Sequence, residues 1–318
     1  MITDEKILIT GVTGTVAKPL AHFLAQSNEV WGVARFRDPA QRADYEAAGI
    51  TTRAIDLGSG DFSELPQDFT TVLHLSWMRG PLDQLQEALR MNVEGPGLLF
   101  QHCRRARRTL VMSGMGIYSP HEDPWHPYSE TDPIGRASTS FAPTSPACKA
   151  GIEAVARYCA RAFDMPIVIT RLNTYDGTLE SMPARVIRAV RDGLTVHAPN
   201  DPHPNTPIHV DDMKWQLESL LDYASTPASI VNWCGDETIT LQEWARLAAD
   251  FYGKDVEFAV NATPGAPPGN ASDPTLRRSI TGPCRTKFVE RFRALCEQVT
   301  PESDNRSRAD WSGLVERS

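Results

Sequence analysis

The chain has 318 residues, of which 41% are hydrophobic and 23% are charged, and this balance excludes a disordered or fibrous protein. Its formal net charge of −8 argues against binding to the phosphate backbone of nucleic acids, which requires clustered Lys and Arg. No stretch approaches the roughly 20 apolar residues that cross a bilayer and no signal peptide is recognisable, so we expect a cytoplasmic protein without a nucleic-acid or membrane partner.

The first third of the chain alternates short apolar runs with amphipathic stretches. This alternation is typical of a Rossmann-type α/β fold, in which helices cover both faces of a doubly wound parallel sheet. Between the first two strands, Val16, Leu20 and Leu24 recur at helical spacing. The predicted strands are KILIT, EVWGVA, TTRAI, TTVLHLS and TLVMS.

Residues 119–147 are rich in Pro, Ser and Thr and show no periodicity, so we predict a long loop that forms part of the substrate site. An amphipathic helix and the strand PIVITRL follow this loop. Further on, SIVNWC predicts a strand, and Thr240 with Glu243 predicts the capping box of a helix that Gly253 ends. Six scattered cysteines without metal-ligand spacing predict free thiols and no metal site.

A glycine-rich turn, TGVTGTVA at residues 10–17, directly follows the first strand and opens a helix. Glycine at the first position permits a tight turn, glycine at the second lets backbone N–H groups approach a pyrophosphate, and Ala17 lets the helix pack on the strand. The helix N-terminus also favours an anion. The candidate pyrophosphate-binding residues are Gly11, Thr13, Gly14, Thr15 and Val16.

The end of the second strand indicates which dinucleotide is bound. NAD-binding proteins place Asp or Glu there for the ribose 2′-hydroxyl, whereas this chain has Arg35 and Arg37 and no carboxylate. Guanidinium groups pair well with a 2′-phosphate. We therefore predict NADP(H) rather than NAD(H), bound to a domain of residues 1–175, with a smaller substrate-binding lobe at 176–300 and a flexible tail at 301–318.

The chain resembles the extended short-chain dehydrogenase/reductase family, which includes the NAD-dependent epimerases/dehydratases. The resemblance is carried by TGVTGTVA, Asp56-Leu57, HLSW, MNVEGPGLL and IHVDDM. The cofactor half is also similar to the progesterone 5β-reductase and iridoid synthase branch, which uses NADPH. The resemblance implies that Asp56 and Leu57 flank the adenine, that Leu75 and Ser76 line the dinucleotide path and that Asn92 steadies the central helix. It also implies a homodimer.

The catalytic residues of this family are a Ser or Thr after the fifth strand and a Tyr-x-x-x-Lys motif, whose tyrosine protonates a carbonyl while the lysine holds the nicotinamide ribose. Lys149 matches the lysine, but Ser145 stands at the tyrosine position. Gly114 stands at the serine position, one residue after Ser113. The substitute candidates are Ser145, Ser113, Tyr118, His121, His126 and Tyr128. We interpret His74, at the end of a buried strand, as a core histidine.

The substrate is the last open question. Nucleotide-sugar members of the family carry an arginine just before the segment that reads Ile208-His209-Val210 here, and this chain has none there. We therefore expect an oxidoreductase that reduces a carbonyl or enone of a small, largely apolar molecule. One alternative is an epimerase or dehydratase that recycles its cofactor, and another is a non-catalytic NADP(H)-binding sensor.

Overall fold

The computed structural model describes residues 2–139, 142–262 and 264–304, so most of the tail predicted at 301–318 lies outside the described residues. The chain divides into two compact units that are interleaved in sequence. The first unit comprises residues 1–117, 142–171 and 213–231, and the second comprises residues 118–141, 172–212 and 232–318. The structure thus assigns residues 118–141, most of the predicted loop, to the second unit rather than to the dinucleotide-binding part.

A seven-stranded sheet with strand order β11-β6-β5-β4-β1-β2-β3 forms the centre of the first unit. The four pairings from β3 across to β5 are parallel. The predicted α/β fold and its five N-terminal strands are confirmed. The strands are β1 (Lys6–Thr10), β2 (Glu29–Ala34), β3 (Thr51–Ala54), β4 (Thr71–His74), β5 (Arg108–Gly114), β6 (Ile167–Leu172) and β11 (Ser229–Trp233).

Helices of the first unit cover the sheet with apolar faces. In the longest helix, Ile152, Ala156 and Cys159 lie on one face and pack against sheet residues such as Val111 and Ile169. Three short 3-10 turns lie at Leu57–Ser59, Leu82–Gln84 and Met115–Ile117, and a π-helical turn lies at Arg90–Glu94. The helices are α1 (Ala17–Leu24), α2 (Pro39–Ala47), α3 (Leu85–Leu89), α4 (Gly95–His102), α5 (Ser145–Phe163) and most of α7 (Val210–Asp222).

The order of the strands creates a switch point. From β1 the chain runs outward to β2 and β3, and it then returns to β4 on the other side of β1. In open α/β sheets, ligands bind at the carboxyl ends of the two strands where the direction reverses. The carboxyl ends of β1 and β4 are Thr10 and His74, which places the glycine-rich turn and Leu75-Ser76 at the predicted binding edge.

The second unit has its own apolar core, built mainly from α6, α8 and α10 around Trp244 and Phe288. The predicted capping box is present: Thr240 caps the helix that starts at Leu241, and Gly253 ends it with a φ of +63°. Among the described residues, no helix is long and apolar enough to span a membrane. The remaining elements are β7 (Tyr175–Asp176), α6 (Met182–Arg191), β8 (Val196–Ala198), β9 (Pro204–Asn205), β10 (Ile208–His209), β12 (Ile239–Thr240), α8 (Leu241–Tyr252), β13 (Phe258–Val260), α9 (Thr275–Thr281), α10 (Phe288–Gln298) and α11 (Pro301–Asp304).

Candidate active site

The glycine-rich turn lies directly against the segment that follows β4. Gly11 has a φ of +64°, and a Cβ atom on it would stand 2.5 Å from the Cα of Ser76. Only glycine fits this position, because any side chain would collide with backbone. The N–H of Gly14 donates to the carbonyl of Gly11 at 2.8 Å and so closes the turn. The helix begins at Ala17, and Val16 before it provides no side-chain cap.

A buried threonine joins the two strand ends of the switch point. The backbone N–H groups of Leu75 and Ser76 donate to Oγ1 of Thr10 at 3.2 and 3.3 Å, and this oxygen lies 2.9 Å from Nδ1 of His74. Burial lowers the pKa of His74 to about 4, so the ring is neutral. This geometry agrees with a core histidine, and it gives Thr10 a role that the sequence analysis missed.

Of the residues predicted to face the adenosine, Arg35, Arg37 and Asp56 are exposed, whereas Leu57 is buried. Arg35 and Arg37 follow the end of β2 with exposed side chains, and Phe36 between them has a φ of +40°. Asp56 is exposed, and its carboxylate accepts the N–H of Gly58 at 2.9 Å, which caps the turn after β3. The structure therefore leaves both guanidinium groups accessible at the strand end where the sequence predicts the 2′-phosphate.

Two further residues at this end were not predicted. Arg90 extends its guanidinium to within 3.8 Å of the Asp56 carboxylate. Gly95, at the start of α4, lies so close to Leu57 that a Cβ on it would be 2.1 Å from the Leu57 carbonyl oxygen. Glycine at position 95 thus allows α4 to pack on the turn after β3. The GPG of MNVEGPGLL was visible in the sequence, but only the contact with Leu57 explains why glycine is required at position 95.

Lys149 and Ser145 lie on the same side of α5, one helical turn apart, and Trp77 from the segment after β4 contacts both. The indole N–H of Trp77 donates to Oγ of Ser145 at 3.1 Å. Nζ of Lys149 lies 4.1 Å from the centroid of the same ring, in a cation–π contact. Burial, reinforced by the charge of Arg79, lowers the pKa of Lys149 to about 8.

The segment that carries Trp77 is held by hydrogen bonds on two elements. Asn92 accepts the N–H of Met78 at 2.7 Å and donates to its carbonyl at 2.8 Å. Thr144, at the start of α5, donates its hydroxyl to the carbonyl of Gly80 at 2.9 Å. Asn92, predicted to steady the central helix, therefore acts on the segment after β4. The backbone around Trp77 is fixed to the beginning of α5.

A buried ion pair lies one turn beyond Lys149 on α5. Glu153 accepts two hydrogen bonds from Arg171 of β6, at 3.0 and 2.8 Å, and both side chains are almost completely buried. Among the described residues, Lys149 itself forms no ion pair with a carboxylate. The sequence analysis missed Glu153 because its role depends on a partner from another element.

The other candidates are distributed over both units. Ser113 lies in β5, and its hydroxyl is buried without a hydrogen-bond partner among the described residues. Tyr118 belongs to the second unit, is fully buried, stacks on Tyr128 and donates its hydroxyl to Asn232 at 2.7 Å. An engaged hydroxyl in a packed core argues against Tyr118 as the proton donor.

The loop histidines also lie in the second unit. The rings of His121 and His126 stack with their centroids 4.0 Å apart. Nε2 of His126 lies 2.9 Å from a carboxylate oxygen of Asp132. Among the described residues, no group of three His, Cys, Asp or Glu side chains could hold a metal ion.

The comparisons with known proteins agree with this geometry. A sequence profile described as the NAD dependent epimerase/dehydratase family matches residues 7–213, more than half of the chain. The chain belongs to this family. Family membership makes it an enzyme of the extended short-chain dehydrogenase/reductase type, an NAD(P)-dependent oxidoreductase or epimerase. A search of curated proteins gave no match.

Solved structures of epimerases share the fold. UDP-glucuronic acid 4-epimerase from Bacillus cereus, in complex with UDP-glucuronic acid and NAD, is 19% identical, with a TM-score of 0.77 over 92% of this chain and 99% of that one. UDP-glucose 4-epimerase from Thermus thermophilus, in complex with NAD, is 18% identical, with a TM-score of 0.74 over 92% of this chain and 98% of that one. At these identities the likeness establishes the fold alone.

The buried arginines of the second unit are neutralised by carboxylates of the same unit. Arg277 donates to Asp236 and, at 2.8 Å, to the carbonyl of Gly282. Arg291 lies 3.1 Å from Asp176 and 3.7 Å from Asp212. These two cations are therefore engaged in the structure of the second unit itself.

Proposed function

We propose that this member of the family binds NADP(H) at the switch point of its first unit and reduces a carbonyl or enone of a small, largely apolar molecule. The observation that carries the proposal is Lys149: a half-buried cation that forms no salt bridge with a carboxylate among the described residues, on the helix where the family holds its nicotinamide ribose. A buried unpaired cation is costly, and a hydrogen-bonding ligand offsets that cost.

The residues at the switch point fit a nicotinamide dinucleotide. Gly11 provides a cradle that a Cβ would fill, α1 begins without a side-chain cap, and Lys149 supplies a cation for the ribose hydroxyls. Among the candidates, Thr13, Thr15 and Val16 would line the pyrophosphate and Leu75 and Ser76 the path to the nicotinamide. When bound, the dinucleotide supplies or accepts a hydride.

The exposed guanidinium groups of Arg35 and Arg37 support NADP(H) as the preferred cofactor. Replacing Arg35 with Asp should weaken NADPH binding about 10- to 100-fold, the loss of one charge-assisted hydrogen bond, and should improve NADH binding. Arg104→Asp is the matched control, because it makes the same charge change at an exposed site after α4. Equal effects of the two variants on both dissociation constants would contradict the NADP(H) preference.

Reduction does not require the family's tyrosine. A general acid contributes about 10²–10⁴ to rate, whereas positioning hydride donor and acceptor contributes more, so the chemistry persists when the acid is lost. The missing arginine before Ile208 favours an uncharged substrate over a nucleoside diphosphate sugar.

The proposal includes a cytoplasmic homodimer. Large apolar side chains are exposed on the helices through which family members dimerise: Leu98 of α4 is 49% exposed and Tyr158 of α5 is 66% exposed. Light scattering coupled to size-exclusion chromatography measures the mass, and Tyr158→Lys should convert a dimer to a monomer.

The deciding experiment is NADPH oxidation by the purified protein with ketones, quinones, enones, UDP-glucose and UDP-glucuronic acid. Oxidation with an apolar acceptor, lost in Lys149→Ala, supports the reductase. Conversion of a UDP-sugar without net oxidation of NADPH or reduction of NAD supports the second candidate, an epimerase, which the family and the fold of the UDP-sugar epimerases favour. Tight NADPH binding without any conversion supports a sensor.

A further inference from the structure

The contact between Trp77 and Ser145 determines the direction of one hydroxyl hydrogen. An indole N–H can only donate, so Oγ of Ser145 is the acceptor of the 3.1 Å hydrogen bond. The hydrogen of the Ser145 hydroxyl must then point to another acceptor. No such acceptor occurs among the described residues, although Ser145 is only 7% exposed. The structure therefore leaves one oriented donor in the position of the family's tyrosine, one turn before Lys149.

The position of the indole is well determined by its surroundings. Thr144 precedes Ser145 and donates its hydroxyl to the carbonyl of Gly80, which joins the start of α5 to the segment of Trp77. Lys149 lies over the face of the indole, and its positive charge is attracted by the ring. An aromatic ring thus still adjoins the lysine, but it comes from the segment after β4 instead of from position 145.

We propose that Ser145 donates its hydroxyl hydrogen to the oxygen of the substrate carbonyl and that Trp77 is the positioning residue that orients this hydroxyl. The inference rests on the proposed function, in which a bound dinucleotide would supply the hydride that the carbonyl carbon accepts. The carbon–oxygen π electrons then move to the oxygen, and a proton from water completes the alcohol. Ser145 stabilises the developing charge by a hydrogen bond and keeps its own proton, because a serine hydroxyl is a very weak acid at neutral pH.

The hydrogen bond from Trp77 makes the serine a better donor. A hydroxyl that accepts a hydrogen bond becomes more polarised as a donor, so the two bonds reinforce one another. Trp77 therefore acts on the reaction through Ser145 and not through contact with the carbonyl.

A double-mutant cycle tests this relation with the acceptor that gives the highest turnover. Ser145→Ala removes the donor and should lower kcat about 100-fold, as for a single lost oxyanion donor. Trp77→Phe keeps a ring beside Lys149 but removes the N–H, and it should lower kcat about 10-fold. In the Ser145→Ala background, Trp77→Phe should cause no further loss. Ser145→Thr retains a hydroxyl and should restore most of the activity.

The matched control is Trp31→Phe in β2, which also removes an indole N–H bonded to a side chain, here to Glu29 at 2.7 Å, without touching α5. Its kcat should equal that of the unmodified protein. The NADPH dissociation constants of Trp77→Phe and Ser145→Ala, measured by fluorescence, should stay within about twofold of the unmodified value, since neither change removes a charge-assisted contact.

The outcomes are distinguishable. If the losses of kcat multiplied in the double variant, or if Ser145→Ala kept full activity, the inference would be wrong. The proposed function would be unaffected. A parallel fall in NADPH affinity would also overturn it, because the two residues would then act on the cofactor. Absence of turnover with every acceptor in the unmodified protein would overturn the proposed function and the substrate contact of Ser145 together.

Discussion

One cation of the first unit, Lys149, is held differently from the paired cations of both units, such as Arg171 and Arg277. In the second unit, the guanidinium of Arg277 is fully buried and paired with Asp236. In the first unit, Lys149 lies against an indole ring, and the nearest buried carboxylate on its helix, Glu153, is already occupied by Arg171. A paired buried cation contributes to the fold, whereas an unpaired one is available to a ligand. The contrast separates the structural charges from the functional one.

The largest effect is expected from breaking the structural pair. Arg277→Leu removes a fully buried guanidinium from Asp236, whose side chain is 20% exposed, and should lower the free energy of unfolding by about 3 kcal/mol, measured by urea denaturation. Arg278→Leu is the control, since its side chain is 53% exposed and lies 3.8 Å from the same carboxylate. It should cost under about 1 kcal/mol. Similar losses in the two variants would refute the distinction.

Replacing Lys149 should lower activity without lowering stability, which is the opposite of the effect expected for Arg277. Lys149→Met should lower turnover by about 100-fold or more and weaken NADPH binding about 10-fold, since the ribose loses charge-assisted hydrogen bonds. The same variant should unfold at a urea concentration equal to or above that of the unmodified protein, because it removes a buried charge. Lys18→Met, at an exposed position on α1, is the control for both measurements. A destabilised Lys149→Met protein would place Lys149 with the structural charges.

The pH dependence of the free energy of unfolding is a second test of the difference between Lys149 and the paired cations. Burial lowers the pKa of Lys149 from 10.5 to about 8, so between these values the unfolded chain holds a proton that the folded protein has released. Stability from this group therefore rises with pH above about 8. Without dinucleotide, the advantage of Lys149→Met over the unmodified protein should shrink by on the order of 1 kcal/mol per pH unit across this window. If the free energies of unfolding of Lys149→Met and of the unmodified protein changed in parallel from about pH 7.5 to 9.5, the expected shift in the pKa of Lys149 would be wrong.

Features that depend on neighbouring residues were predicted from the sequence, whereas contacts between residues far apart in the chain were not. The strands of the sheet and the capping box of α8 follow from short-range patterns, and the structure confirms them. The contact of Trp77 with Ser145 joins residues 68 positions apart, and no periodicity marks it. The interleaving of the units has the same origin, because Tyr118 follows β5 after one short 3-10 turn and yet hydrogen-bonds to Asn232. Such pairings arise from the fold as a whole and not from neighbouring residues.

The smallest expected effect concerns the starts of two helices. Thr240→Ala removes the side-chain cap of α8 and should cost about 1 kcal/mol, while Thr240→Ser should keep it. Helix α1 has no side-chain cap to lose, so Val16→Ala should change stability by less than about 0.5 kcal/mol. Saturating NADPH should slow hydrogen exchange at the first amides of α1 and leave those of α8 unchanged. If NADPH slowed exchange equally in both helices, the pyrophosphate would not bind at the uncapped N-terminus of α1. The prediction that it binds at the switch point would then be wrong.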